Sequence, residues 1–307
     1  MPYNAEQTIN VRGRLVSLRE PQVMGILNVT PDSFYAGSRK QTEHDIAERA
    51  NAIIAEGGTM IDVGAFSTRP GAPEVTESEE MARLRHGLAI VRREQPDAIV
   101  SVDTFRPEVA RMAVEEYGAD MINDVSEGNV NGAFGGADAY RTTTDTADDY
   151  PEMFRMVARL GVPYILMSVK PTLIEMMQAF GKEIQQLRDL GVKDIILDPG
   201  FGFGKTLQQN YSILASMDRL HELNLPVLVG VSRKSMIYKV LGGGPEEALN
   251  GTTVLNTMAL ELGASILRVH DVRAAAEAVM ITAATDRIRH RHDDSGNSNG
   301  AHHLNLK

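Results

Sequence analysis

The chain contains no cysteine among its 307 residues. This absence excludes disulfide bonds, thiolate nucleophiles and thiolate-bound metals, and with them secreted disulfide scaffolds and cysteine zinc modules. Basic residues are also scarce: 31 lysines and arginines face 41 aspartates and glutamates, which leaves a net charge of −10. A protein that holds a phosphate backbone needs the opposite sign. We therefore expect no nucleic-acid partner, and any bound metal must use oxygen or imidazole ligands.

Long apolar runs are missing too. No uninterrupted stretch approaches the ~20 apolar residues that a membrane span requires, and residues 1–14 lack the apolar centre of a secretory signal. These absences predict no membrane partner and a cytoplasmic location. What the chain does have is 43% hydrophobic and 23% charged residues, a balance typical of a folded globular protein with a sizeable core.

Short β-branched runs recur along the chain, separated by segments with helical periodicity. They lie at 23–29, 60–64, 98–102, 120–125, 162–167, 194–198, 226–231 and 265–270. Their spacing of about 35 residues is that of a strand, a helix and a right-handed crossover. Eight such units predict an α/β fold, a TIM (β/α)8 barrel, although length alone would also allow two domains. The rival is an open doubly wound sheet, which needs a glycine fingerprint after the first strand, where residues 28–32 read Asn-Val-Thr-Pro-Asp.

The two ends of the chain lie outside the predicted barrel. Residues 1–22 include the segment 9–18, which predicts a short hairpin that closes the bottom of the barrel. Residues 23–290 are predicted to form the barrel. Periodicity stops near residue 291, and the polar composition of 291–307 predicts a disordered tail.

Polar side chains stand at the predicted carboxyl ends of the strands, where barrel enzymes place their active sites. They are Asn28, Asp62, Asp103, Asn123, Asp124, Ser168, Asp198, Lys234, Arg268 and His270. Each could singly cap a helix or stabilise a turn. Their repetition on strand after strand favours an active site.

Two further segments have sequences that indicate a binding site. In 198–206 the Walker pattern fails because Pro199 stands where it requires glycine, and the glycine spacing does not match the dinucleotide fingerprint either. The segment is better interpreted as backbone that lets a flat ligand approach Phe201 or Phe203. The segment 230–235 follows the seventh strand and opens a helix. Its cations and those of the eighth strand, Arg233, Lys234, Arg268 and His270, predict a site for a doubly charged group such as pyrophosphate. A surface salt-bridge cluster is the alternative.

Taken in order, these motifs resemble those of the dihydropteroate synthase family. The resemblance rests on MGILNVTPDSF at 24–34, STRPGA at 67–72, SVDT at 101–104, INDVS at 122–126, DPGFGFGKT at 198–206, GVSRKS at 230–235 and LRVHDV at 267–272. It implies a TIM-barrel transferase that joins hydroxymethyl-dihydropterin pyrophosphate to p-aminobenzoate, with Mg²⁺ assisting the release of pyrophosphate. It also implies a homodimer.

The resemblance assigns roles to individual residues. Asp103, Asp198, Lys234 and Arg268 are implied to be catalytic, Asn123, Met167 and Phe203 to bind the pterin, and Asn28 to bind the metal. Arg69, Arg268 and His270 would hold the pyrophosphate, and Phe34, Thr68, Pro70 and Ser235 would surround the aminobenzoate. If the bond to pyrophosphate breaks first, Asp103 and Asp198 would stabilise a delocalised pterin cation. A neutral arylamine attacking that cation needs no general base.

The sequence departs from the family pattern around the second substrate. Ala36 stands where the family usually has aspartate, Phe66 where it has an acidic residue, and Ser168 where it has histidine, and residues 127–150 form an unusually long loop. Three alternatives therefore stay open: a pterin-binding methyltransferase-type domain, a synthase paralogue with altered second-substrate loops, and a pterin-binding barrel without enzymatic activity. The methyltransferase alternative leaves the STRPG and SRKS motifs unexplained.

Overall fold

The computed structural model describes residues 7–29, 39–65, 75–128 and 150–297. Two short strands come first, β1 Thr8–Val11 and β2 Arg14–Ser17. Eight more follow: β3 Gln22–Asn28, β4 Met60–Gly64, β5 Ile99–Asp103, β6 Met121–Asp124, β7 Tyr164–Met167, β8 Ile195–Asp198, β9 Leu228–Val229 and β10 Ile266–Val269. Each of these eight coincides with a run predicted from the sequence.

The eight strands form one parallel sheet in the order β8-β7-β6-β5-β4-β3-β10-β9. The two edge strands meet through a parallel bridge between Leu197 of β8 and Val227, the residue before β9. This bridge brings the sheet round into a nearly closed barrel, so the predicted TIM-barrel fold is confirmed.

Helices surround the sheet and follow the strands in alternation. They are α1 Arg39–Ala55, α2 Glu77–Glu94, α3 Pro107–Tyr117, α4 Glu152–Leu160, α5 Leu173–Asp189, α6 Leu207–Leu214, α7 Ser235–Leu241, α8 Leu249–Glu261 and α9 Val272–Asn297. In α2, the side-chain oxygen of Thr76 accepts from the amide of Glu79 and caps the helix. Its buried residues Leu84, Leu88 and Val91 recur at helical spacing and pack on the sheet. None of the described helices is both long enough and apolar enough to cross a membrane.

The N-terminal hairpin closes the bottom of the barrel, as predicted. Its turn is only Arg12 and Gly13, both with positive φ, which matches the twist of the two strands. The side chains of Ile9, Val11 and Leu18 are buried against inward-facing residues from the start of the barrel strands, namely Met24, Met60, Met121, Ile165, Ile196, Leu228 and Ile266. The hairpin thus fills the end of the barrel opposite the predicted active site.

The last helix differs from the sequence-based expectation. Residues 291–297 were assigned to the disordered tail, but α9 continues as helix to Asn297. The backbone is helical there, although the sequence has no periodic apolar residues that would predict a helix. Residues 298–307 lie outside the described part of the chain, as do residues 129–149 of the long loop after β6.

Candidate active site

The carboxyl ends of four strands bring together a cluster of charged side chains inside the barrel. Arg268 of β10 donates from Nε to Oδ2 of Asp62 on β4 at 2.6 Å, and from Nη2 to Oδ2 of Asp103 on β5 at 2.7 Å. Asn123 of β6 donates from Nδ2 to the same Oδ2 of Asp62 at 3.1 Å. The predicted residues Asp103, Asn123 and Arg268 are therefore neighbours, and Asp62 connects them.

This arrangement fixes what the cluster offers to a ligand. Because the carboxylate of Asp62 accepts hydrogen bonds, the amide of Asn123 must turn its nitrogen towards it and leave Oδ1 free. Asn123 Oδ1 and Asp62 Oδ1 are both buried and have no hydrogen-bond partner within the described residues. Buried acceptors without partners are costly, so a ligand with N–H donors would stabilise this site.

The electrostatics of the cluster follow from its burial. Burial raises the pKa of Asp103 to about 7; Arg268 opposes this shift, and the carboxylate of Asp62 adds to it. Burial alone would lower the pKa of Arg268, but Asp62 and Asp103 more than offset it and the net pKa is raised. Arg268 therefore stays charged, while Asp103 titrates near neutral pH.

Asp198, Phe203 and Lys234 meet at the end of β8. Asp198 Oδ1 accepts from the amide of Gly200 at 2.7 Å, and Lys234 Nζ donates to the carbonyl of Phe201. The same ammonium lies 4.5 Å from the centre of the Phe203 ring, within cation–π range. Burial lowers the pKa of Lys234 to about 7, against the attraction of Asp198. The predicted pterin residues on this side are thus assembled around one ammonium group.

The glycine-rich segment forms a platform that packs against Lys234. Gly200, Gly202 and Gly204 have φ of +64°, +82° and +62°, a backbone region that favours glycine. The ammonium of Lys205 donates to the carbonyls of Ser168 at 2.8 Å and Gly200 at 3.0 Å. A Cβ on Gly202 would lie 3.0 Å from Cδ of Lys234. Gly202 therefore permits the close approach of Lys234, whereas the sequence predicts the approach of a flat ligand to this backbone.

Two residues of this platform were missed in the sequence. The sequence alone gives no role to Lys205 or to Asn210 of α6, because the segment 198–206 does not match the Walker pattern. Asn210 Oδ1 accepts from the amide of Gly202 at 2.7 Å. The positive φ values of the glycines turn successive amides and carbonyls inward. Lys205 supplies the donor and Asn210 the acceptor for these groups.

The cation cluster on the last two strands contains fewer members than predicted. The guanidinium of Arg233 forms a two-point ion pair with Asp271, at 2.8 and 2.7 Å, and also donates to the carbonyl of Pro245. The expectation that Arg233 joins the anion site is therefore wrong. Its φ of +55° directs the chain differently from a regular helix start, and its charge is satisfied by Asp271.

The remaining predicted residues are distributed as follows. Met167 is fully buried at the end of β7, His270 follows β10, and Ser235 is the first residue of α7. Asn28 ends β3: a Cβ built on Gly64 would lie 3.7 Å from Asn28 Oδ1 and 3.8 Å from Asp103 Oδ2. Asn28 is therefore at the edge of the same cluster. Phe34, Thr68, Arg69 and Pro70 lie outside the described residues, together with the departures Ala36 and Phe66.

The hydroxyl of Ser168, the departure after β7, belongs to a network around Glu127. Its hydroxyl donates to Glu127 Oε1 at 3.0 Å, and Lys170 Nζ donates to Glu127 Oε2 at 3.1 Å. Glu127 is buried at the start of the long loop. Ser168 thus pairs with a carboxylate beside the active site rather than lining the pterin residues.

The comparisons with known proteins agree with this geometry. The family model described as pterin binding enzyme matches residues 24–270. The dihydropteroate synthase of Escherichia coli (strain K12) is 38% identical, over 89% of this chain and 95% of that protein. That of Streptococcus pyogenes serotype M18 is 36% identical, over 88% of this chain and 97% of that protein.

Solved structures resemble the chain over most of its length. The dihydropteroate synthase of Xanthomonas albilineans with 4-aminobenzoic acid has a TM-score of 0.77 and 35% identity, and the match covers 92% of this chain and 99% of that one. The Coxiella burnetii enzyme in complex with pteroic acid has a TM-score of 0.74 and 31% identity, covering 91% and 98%. The site at the strand ends and these matches along nearly the whole barrel lead to one conclusion: the chain belongs to the dihydropteroate synthase family of pterin-binding enzymes.

Proposed function

We propose that the protein is a dihydropteroate synthase, a transferase that condenses hydroxymethyl-dihydropterin pyrophosphate with p-aminobenzoate and releases pyrophosphate. The observation that carries the proposal is the cluster of Asp103, Asn123, Asp198, Lys234 and Arg268 at the strand ends, together with buried acceptors that have no partner within the described residues. Relatives with solved structures bind 4-aminobenzoic acid and pteroic acid, the second substrate and an oxidised form of the product of this reaction.

The donor and acceptor pattern of the cluster suits a pterin. The pterin edge presents an amino group and a ring N–H beside a carbonyl oxygen. Asn123 Oδ1 and the carboxylate of Asp198 would accept from the donors, and the ammonium of Lys234 would donate to the carbonyl. The ring of Phe203, held by its contact with Lys234, and the buried Met167 would pack against the pterin.

The same residues support a dissociative reaction. The C–O bond breaks and its electron pair leaves with pyrophosphate, so the pterin methylene becomes a delocalised cation. The carboxylates of Asp103 and Asp198 would stabilise that cation, and Arg268 and His270 would bind the departing phosphate oxygens. The neutral amine of p-aminobenzoate then forms the C–N bond and releases one proton to solvent, which requires no base with a raised pKa.

Magnesium is proposed as the cofactor. Among the described residues no group of three or more His, Asp or Glu side chains could hold a metal ion by itself. Mg²⁺ commonly keeps several waters and binds through one or two protein oxygens plus substrate phosphates. The amide oxygen of Asn28, beside Asp103, fits that role. When bound, the metal would neutralise negative charge on the leaving group.

Calorimetry tests the metal proposal. Mg²⁺ should bind measurably only when inorganic pyrophosphate is present, and Asn28→Ala should weaken this metal-dependent binding. Equal Mg²⁺ affinity without pyrophosphate, or an unchanged variant, would contradict the role of Asn28.

The second substrate is proposed to lie between the first two loops and Ser235. Phe34, Thr68, Arg69 and Pro70 are proposed there from the family resemblance, Arg69 as a pyrophosphate ligand and the others around p-aminobenzoate. Sulfonamides, which imitate p-aminobenzoate, should compete at the same place. Because Ala36 replaces a carboxylate of the first loop, the KM for p-aminobenzoate should be high and should fall in Ala36→Asp, while the KM for the pterin substrate stays unchanged.

A coupled assay tests the proposed function. Purified protein with the pterin pyrophosphate, Mg²⁺ and p-aminobenzoate should form dihydropteroate and pyrophosphate in equal amounts. Lys234→Ala should lower kcat/KM at least about tenfold, or ~1.4 kcal/mol, whereas Lys239→Ala, an exposed lysine of α7, should not. Tight pterin binding without product at high p-aminobenzoate, not restored by Ala36→Asp, would favour a paralogue. Methyl transfer from a methylated folate to a corrinoid protein would favour the methyltransferase alternative.

A homodimer is also proposed, with the second copy covering the outer surface of α8 and α9. Val254 and Met258 of α8 and Met280, Ile281 and Ile288 of α9 each expose between 44% and 68% of their surface. A group of exposed apolar side chains on two adjacent helices is more often a protein–protein interface than a surface that stays in contact with water. A two-fold axis would bury these side chains on both copies.

Sedimentation tests the dimer. Met258→Lys combined with Ile281→Lys should convert a dimer into monomers, whereas Ile174→Lys on α5, equally exposed at 64%, should leave the dimer intact. A wild-type protein that sediments as a monomer would contradict the proposal.

The cytoplasmic location stays a prediction, which cell fractionation would test.

A further inference from the structure

His270 is bound to Ser232 through two different atoms. The backbone amide of His270 donates to Oγ of Ser232 at 3.1 Å, and Oγ lies 3.0 Å from the ring nitrogen Nδ1 of the same histidine. Ser232 is 4% exposed and lies in the segment that joins β9 to α7. The serine therefore spans the two loops that follow the last two strands of the barrel.

The number of protons available determines the direction of the second bond. A backbone N–H is always a donor, so Oγ accepts from it, and the hydroxyl retains one proton of its own. Within the described residues the Ser232 hydroxyl has no other hydrogen-bond partner besides His270. If Nδ1 carried a proton, the hydroxyl proton would be buried without an acceptor, which is costly. The bond therefore runs from Ser232 Oγ–H to an unprotonated Nδ1.

The surroundings of His270 disfavour its protonated form. Burial lowers the pKa of His270 to about 4, and the charges of Arg268, Arg233 and Arg49 add to that effect against the opposing carboxylate of Asp271. Arg49 also donates to the backbone carbonyl of His270 at 2.7 Å, so its charge is held close by. The imidazole is therefore neutral at physiological pH, and the remaining proton is on Nε2.

We propose that Ser232 is a positioning residue that fixes His270 as the neutral Nε2–H tautomer, so that the ring presents an uncharged hydrogen-bond donor to a phosphate oxygen of the pterin pyrophosphate. The inference rests on the proposed function, in which His270 contacts the leaving group. It adds that the positive charge at the leaving group comes from the arginines and any bound metal, whereas His270 contributes an uncharged, directional hydrogen bond. Ser232 itself does not touch the substrate.

Nitrogen NMR of the imidazole rings tests the tautomer without any turnover. The chain has eight histidines, and the signal of His270 is the one missing from His270→Gln. Between pH 6 and 8 the wild-type protein should show an unprotonated Nδ1 and a protonated Nε2 at this residue. Ser232→Ala should give a mixture of the two tautomers, and Ser232→Thr, which keeps a hydroxyl, should retain the wild-type signature. A protonated Nδ1 in the wild type overturns the proposal, and so does an unchanged tautomer in Ser232→Ala.

Binding and kinetics separate this role from a merely structural one. Losing the fixed donor should raise the Kd of inorganic pyrophosphate and the KM of the pterin substrate about fivefold in Ser232→Ala, with the KM of p-aminobenzoate unchanged and Ser232→Thr close to wild type. Ser212→Ala, at an exposed serine of α6, is the matched control. Equal losses for both substrates would indicate general loosening and would overturn the positioning role. If the expected NMR signature is found in a protein that forms no dihydropteroate, the proposed function fails while the tautomer assignment stands.

Discussion

Asp198 is a buried carboxylate with only part of its hydrogen-bonding capacity used inside the protein. Its Oδ1 accepts from the amide of Gly200, and burial raises its pKa, which the charge of Lys234 opposes. Such a group gains from a ligand that offers donors, because the ligand replaces the water that the carboxylate loses on folding.

Asp198→Asn should therefore weaken pterin binding at least about tenfold, or ~1.4 kcal/mol, since an amide accepts on one atom only and carries no charge. Calorimetric titration with the pterin substrate or pteroic acid measures this. Asp218→Asn, at an exposed aspartate, should bind as the wild type does. Unchanged affinity in Asp198→Asn would remove this residue from the pterin site.

The pKa of Lys234 gives a prediction about pH. Burial lowers this pKa to about 7, so the free enzyme loses the ammonium as the pH rises through 7 rather than near its usual value of ~10.4. If the ammonium binds the pterin carbonyl, kcat/KM for the pterin substrate should fall on the alkaline side of about pH 7. In Lys234→Arg this fall should vanish, because arginine stays charged, even though the maximal rate is lower. A decline that persists in the arginine variant would have to come from another group.

At the residue scale, the sequence predicts where a side chain lies when its position along a strand determines that place. Asp103, Asn123, Asp198 and Arg268 end parallel strands, and the barrel brings strand ends together whatever the details of the loops. Partners are harder to predict: Asp62 was noted at a strand end, but its partner Arg268 is 206 positions away. Arg233 was misassigned because its left-handed backbone conformation, which sets where the side chain goes, leaves no signature in a single sequence.

At the scale of elements, the glycine-rich segment after β8 depends on Lys205. Three carbonyls, of Ser168, Gly200 and Phe203, surround its ammonium, and burial lowers the pKa of Lys205 to about 8. The segment has no regular structure of its own, so these bonds and the capping box at the start of α6 hold its shape.

Lys205→Met should lower the free energy of unfolding by about 2 kcal/mol, because it leaves buried carbonyls without a donor. It should also raise the KM of the pterin substrate, since the platform under Lys234 loosens. Denaturant unfolding and steady-state kinetics measure the two effects, and Lys239→Met is the exposed control. A variant that is destabilised but keeps its KM would show that the segment does not position Lys234.

Element boundaries were predicted best where composition changes abruptly. The strands β4 and β5 begin within a residue of the predicted runs because buried β-branched residues replace polar ones there. By contrast, β9 is only Leu228–Val229, much shorter than the run at 226–231. It pairs with β10 at two residues, and β8 reaches this part of the chain only through the bridge at Val227, before β9. The helical residues 291–297 were missed because no apolar side chains mark that part of α9.

At the scale of the whole molecule, the regular alternation of strands and helices predicts the barrel. The closure of its bottom depends on contacts that this alternation does not predict. Asp120, just before β6, is buried and accepts from Arg12 of the hairpin at 2.7 Å, from Arg92 at 2.8 Å and from the amide of Val100 at 2.9 Å. One carboxylate thus joins the hairpin to α2 and to β5.

Asp120→Ala should lower the free energy of unfolding by about 3 kcal/mol, since it removes the shared acceptor and leaves two arginines and a buried amide without it. Asp218→Ala should cost little by comparison. Activity in the folded fraction should be unchanged, because Asp120 lies at the opposite end of the barrel from Asp103. A loss of kcat in well-folded Asp120→Ala would contradict this separation of the two ends.

The hairpin also has a consequence for how the protein is made. It is synthesised before every barrel strand, yet the apolar side chains of Ile9 and Val11 belong to a cluster that is complete only when Ile266 of β10 is in place. Until then, the apolar face of the hairpin is only partly covered, and the hairpin cannot seal a barrel whose last strand has not been synthesised. The hairpin therefore reaches its final surroundings only after β10 has been synthesised, although it precedes every strand of the barrel in the chain.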